Sequence, residues 1–96
     1  MAQRILVFES DNDFAAEIQA RFRRAGAEVD VVADGAEGLE RASANPPQLI
    51  LLSIELPSMN GFLVCKKIKK AGELKDIPLV ILSSDADAEN IFEQHK

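Results

Sequence analysis

The chain has 96 residues, of which 47% are hydrophobic and 28% charged, the balance of a single folded domain and not of a disordered or fibrous chain. Its 11 Lys and Arg against 16 Asp and Glu give a formal net charge of -5, so a nucleic-acid surface is disfavoured because an acidic chain repels phosphate backbones. The lone Cys65 excludes an internal disulfide framework and fits a reducing compartment. No apolar run approaches the ~20 residues of a membrane span, and the run near the N-terminus is too short for a signal peptide. A cytoplasmic location is expected.

Ile5 to Phe8 is a continuous apolar run of the kind buried on both faces in a parallel sheet. It ends at Glu9-Ser10-Asp11-Asn12, rich in helix-capping residues. Phe14, Ile18 and Phe22, with Ala15 and Ala25 beside them, predict a first helix that Gly26 closes. Val29, Val31 and Val32 mark a second strand. Asp34-Gly35 turns the chain, and Ala36 to about Ala44 reads as a second helix with Leu39 inward, stopped by Asn45-Pro46-Pro47.

Leu49-Ile50-Leu51-Leu52 is the strongest strand, followed by a loop from Ser53 to Gly61 punctuated by Pro57. A third helix is predicted over Gly61 to Lys70. Phe62, Cys65 and Ile68 are at near-helical spacing, and Lys66, Lys67, Lys69 and Lys70 form the wet face, suited to a helix C-terminus. Ala71-Gly72 ends it. Leu79 to Leu82 is a fourth strand, closed by Ser83-Ser84, and Asp85 to Lys96 begins a further helix with Ile91 and Phe92 available for packing. The alternation predicts an α/β fold, a parallel sheet covered by helices on both sides through right-handed crossovers. Ligands and chemistry in such sheets gather at the carboxyl ends of strands, which here carry Glu9-Ser10-Asp11, Ser53 and Ser83-Ser84.

These strand ends resemble those of bacterial response-regulator receivers, the CheY-like family of flavodoxin-type strand order. Three segments carry the resemblance: Ile5-Leu6-Val7-Phe8-Glu9-Ser10-Asp11, Pro47 to Gly61 with its Leu56-Pro57-Ser58-Met59-Asn60-Gly61 ending, and Ile77-Pro78-Leu79-Val80-Ile81-Leu82-Ser83-Ser84. The resemblance implies strand order 2-1-3-4, with the family's fifth strand, its lysine and its last helix absent from these 96 residues, so the chain is expected to be a C-terminally incomplete receiver-like domain. It implies that Ser53 stands where the family carries its phosphoacceptor Asp. Glu9 and Ser10 stand at the two acidic positions that hold Mg²⁺, the backbone carbonyl of Glu55 at the remaining protein ligand, and Ser83 at the switch hydroxyl. With hydroxyls at Ser10 and Ser53 the charge that neutralises a hard cation is depleted, so loss of Mg²⁺ is expected; a weak site from Glu9, Asp11 and the Glu55 carbonyl is the alternative. Val7 to Asp11, Asn60 to Cys65 and Glu93 to Lys96 are further similar to pseudo-receivers of myxobacterial gliding motility.

The resemblance thus implies a non-enzymatic module that binds a protein partner in a signalling or motility pathway. The competing reading is a working phosphoacceptor using a displaced carboxylate, Glu55 or Asp11. A third, a flavodoxin-like site for a phosphorylated cofactor, lacks a glycine-rich loop after the first strand. Each residue also has a plainer reading. Ser53 fills a strand end, Glu9 and Asp11 are helix-entry acids, Ser83 and Ser84 satisfy backbone groups, and Cys65 is a packed thiol. His95 is a surface residue without a second ligand nearby. The lysines of the third helix are a solvated face, or a basic docking stripe for an acidic partner. The edge of the fourth strand would invite pairing between chains or exchange of elements.

Overall fold

The computed structural model describes residues 3–57 and 59–82. Four strands and three helices alternate: β1 (Arg4–Phe8), α1 (Asn12–Arg24), β2 (Glu28–Val32), α2 (Gly35–Ala44), β3 (Leu49–Ser53), α3 (Gly61–Lys70) and β4 (Leu79–Leu82). All pairings are parallel and the strand order is β2-β1-β3-β4, a flavodoxin-like arrangement. Ser83, expected from the resemblance at the switch position, its neighbour Ser84, the expected helix from Asp85 and His95 lie outside the described residues.

Side chains of a strand point alternately to opposite faces, so the apolar runs of β1 and β3 build two cores. Leu6, Phe8, Ile50 and Leu52 pack with Val64 and Ile68 of α3 and Ala42 of α2. Ile5, Val7 and Leu51 pack with Val29 and with Ile18 of α1. Helix α1 therefore covers one face, and α2 and α3 the other. Phe8 is fully buried and α2 comes very close to it: a Cβ on Gly38 would collide with three atoms of the Phe8 ring.

Helix boundaries follow local chemistry. The Asp11 side chain accepts from the N–H groups of Asp13 and Phe14, capping α1. The helix closes in a Schellman turn: Gly26 N–H donates to Arg23 O and Ala27 N–H to Phe22 O, with Gly26 at φ 92°. Asp34 caps α2 through Glu37 N–H, which starts that helix at Gly35 and not Ala36.

Two expected core stripes are shifted. In α1 the buried residues are Ala15 and Ile18, with Phe22 half-buried, whereas Phe14 is 41% exposed and Ala25 is also exposed. The inward row is i, i+3, i+7 from Ala15, and it leaves Phe14 at the helix shoulder. In α3 the inward row is Gly61, Val64 and Ile68, while Phe62 and Cys65 are half-buried. Leu74, in the turn after α3, is 1% exposed and belongs to the α3-side core, although no periodicity marks it.

Candidate functional site at the strand carboxyl ends

The carboxyl ends of β1 and β3 lie side by side because those strands pair directly, in a register that sets Phe8 opposite Leu52. The residues just beyond them therefore meet. Glu9 continues β1, its N–H donating to Val32 O at 2.9 Å. Ser53 is the last residue of β3 and pairs with Leu82. A cavity of about 360 Å³ opens here, lined by Glu9, Ser10, Asp11, Phe14, Ser53, Ile54, Glu55 and Leu82.

Glu9 and Ser53 are only 7% and 5% exposed. An acidic side chain is rarely so deep without partners, and Glu9 has two. The Ser53 hydroxyl donates to Glu9 Oε1 at 2.5 Å, and the Asp11 N–H donates to Glu9 Oε2 at 3.0 Å. Both carboxyl oxygens are thus engaged within the chain. The Ser10 hydroxyl turns away from this pair and donates to the backbone carbonyl of Glu55 at 3.4 Å. Asp11 spends one carboxyl oxygen on the α1 cap.

The loop after β3 is held by Gly61. Its N–H donates to Ile54 O at 2.7 Å, and a Cβ at this position would collide with Ser53 O. Asn60 then caps α3 through Leu63 N–H. The tip of β3 and the start of α3 form one tight corner.

Five of the residues singled out from sequence, Glu9, Ser10, Asp11, Ser53 and Glu55, converge on the cavity. Phe14, Ile54 and Leu82 were missed as lining residues. The signal for Phe14 was available, because Ala15, Ile18 and Phe22 keep helical spacing without it. Among the described residues, no basic side chain lines the cavity. Among the described residues, no group of three or more His, Cys, Asp and Glu side chains is disposed to hold a metal ion, and no helix is long and apolar enough to cross a membrane.

The family model described as "Response regulator receiver domain" matches residues 5–96. The chain belongs to the response regulator receiver family. Its similarity to curated receivers includes the response regulator ArlR of Staphylococcus saprophyticus, 32% identical over 84 residues, covering 88% of this chain and 37% of that protein. Adventurous-gliding motility protein Z of Myxococcus xanthus is 28% identical over 96 residues, all of this chain but 7% of that one. Among solved structures, the receiver domain of sensor histidine kinase PA1611 from Pseudomonas aeruginosa, with a magnesium ion coordinated in its active-site cleft, aligns with a TM-score of 0.88 and 26% identity, covering 100% of this chain and 80% of that one. The chain spans little more than a third of the length of the first curated receivers it matches. It is a receiver domain of two-component signalling type.

Proposed function

We propose that this receiver acts as a phosphorylation-independent protein-binding module. The observation that carries the reading is the buried Ser53–Glu9 hydrogen bond. Aligned by motif, Ser53 occupies the phosphoacceptor position and Ser10 the directly metal-ligating one. A serine hydroxyl needs a neighbouring base to be a useful nucleophile. Glu9 stands where such a base would, but its other oxygen is held by the Asp11 N–H, and a serine would form a stable phosphate ester and not the labile acyl phosphate of an Asp.

The same donor set fits Mg²⁺ poorly. A hard cation wants several charged oxygens in near-octahedral array. Glu9 is satisfied internally, Asp11 is turned to its cap, and Ser10 and Ser53 bring no charge. We therefore expect Mg²⁺ affinity to be lost and the site to act as a fixed structural corner. Local similarity of Val7–Asp11 and Asn60–Cys65 to the N-terminal pseudo-receiver of the myxobacterial protein FrzS supports the reading, as does the likeness to the gliding-motility protein above. The partner is then a protein of a signalling or motility pathway.

The alternative, phosphorylation on a displaced carboxylate, requires Asp11 or Glu55 to attack in line. Asp11 is committed to two helix N–H groups, and a misdirected group loses most of the advantage of orientation. Incubation with acetyl phosphate and Mg²⁺ followed by intact-mass spectrometry separates the two. The unmodified mass is expected. A phosphoryl adduct mapping to Glu55 or Asp11 would establish the alternative.

A further inference from the structure

Helix α3 carries a surface that the strand-end site does not use. Its inner row is Gly61, Val64 and Ile68, yet Leu63 beside them is 43% exposed. Lys66, Lys67 and Lys70 follow Leu63 at i+3, i+4 and i+7, so helical geometry sets all four on one side, over roughly 10 Å of helix axis. Lys69 and Lys75 extend the positive patch, the Lys69 ammonium donating to the Lys75 carbonyl at 3.5 Å. All five lysines are exposed.

Helix α3 contains no acidic residue. The ion pairs among the described residues are Arg21–Glu17 and Arg41–Glu37, both on other helices, so no described carboxylate is in ion-pair contact with the stripe. Lysines near a helix C-terminus are explained by the helix dipole alone. Leu63, 43% exposed at their head, adds an apolar contact point to the charged row. The helix is also held in place, capped by Asn60 and seated by Gly61 against Ser53, so the stripe is preformed.

We propose that the Leu63, Lys66, Lys67 and Lys70 stripe docks an acidic protein segment, with an apolar side chain of that segment on Leu63 and its carboxylates on the lysines. The partner's chemistry follows from the charge distribution. The chain as a whole carries -5, so an extended polyanion such as a nucleic acid or an anionic membrane meets repulsion over its length. A short acidic segment needs only the stripe, within about one Debye length of ~8–10 Å. Lysine ammonium groups are point charges that accept carboxylates without a demanding geometry. The inference rests on reading the chain as a binding module and names the partner's chemistry.

The test is titration of the ¹⁵N-labelled full chain with a synthetic peptide of Glu and Asp residues around a single Leu. Saturable amide shifts centred on Gly61–Lys70 are expected, weakening with salt. Binding should fall about tenfold or more in the Lys67→Glu/Lys70→Glu variant. It should fall several-fold with Leu63→Ser, and with Ser in place of the peptide's Leu, while circular dichroism stays unchanged. Binding indifferent to those substitutions would overturn the proposal. So would tighter binding to phosphatidylserine vesicles or to an oligonucleotide, or self-association of the chain through α3 in sedimentation without peptide. An inert chain in the acetyl phosphate experiment together with a silent α3 would sink only the docking stripe, so the two readings fail separately.

Discussion

Replacing Ser10 and Ser53 together by Asp is expected to give this receiver measurable Mg²⁺ affinity, in the millimolar range, where the parent chain binds at least about tenfold more weakly. The geometry explains why both changes are needed. Ser53→Asp alone removes the hydroxyl that donates to Glu9 Oε1 and sets a second carboxyl against the first. Ser10→Asp adds a charged oxygen beside the Glu55 carbonyl, which the Ser10 hydroxyl now touches. Together they set two further carboxyls beside Glu9 and the Glu55 carbonyl in one cavity. Without metal, the crowded acids should destabilise the fold by on the order of 1–3 kcal/mol, since a buried acceptor loses its donor and like charges meet. Added Mg²⁺ should restore the loss in proportion to its occupancy. A thermal melt with and without Mg²⁺ reads both effects. A double variant that melts identically in the two conditions would mean that Ser10 and Ser53 do not occupy the metal-facing positions.

Gly61→Ala should cost about 2–3 kcal/mol in urea unfolding, the scale of a forced overpacking. The added Cβ would collide with Ser53 O and lie 2.8 Å from Ile54 Cα. These are backbone atoms, so no rotamer change relieves the contact. The β3 tip or the start of α3 must move, and amide shifts at Ser53, Ile54 and Leu63 should report it. Gly72 is the control. Nothing lies within 4 Å of a Cβ there, so Gly72→Ala should stay within about 0.5 kcal/mol of the parent. Equal stability of the two variants would contradict the tight corner between β3 and α3.

The order of elements was legible because both physical signals were strong. The apolar runs of β1 and β3 have no polar interruption, and the capping cluster Glu9 to Asn12, the Asp34-Gly35 turn and the Pro57 to Gly61 loop punctuate the chain before each helix. Strand order came from the resemblance and not from periodicity. The site was legible as a set of residues, since strand ends in a parallel sheet are adjacent by construction. How those residues pair was not legible. That Ser53 donates to Glu9 depends on a contact 44 residues apart in sequence, and that Ser10 turns to Glu55 on one 45 apart. The inward rows of α1 and α3 were misjudged for a common reason: sequence reading favours the largest apolar side chains. Here the inward positions are taken by the small residues Ala15 and Gly61, leaving Phe14 at the cavity rim and Phe62 half-buried. Leu74 escaped because a lone leucine in a turn has no period to reveal it.

The most telling measurement is an amide-resolved titration of the unaltered chain with Mg²⁺ and beryllofluoride, a mimic of the phosphoryl group. If the Ser53–Glu9 pair has closed the phosphoryl and metal site, the resonances of Glu9 to Asp11 and Ser53 to Glu55 stay where they are. Saturable, Mg²⁺-dependent movement of those same resonances at one equivalent of ligand would contradict it.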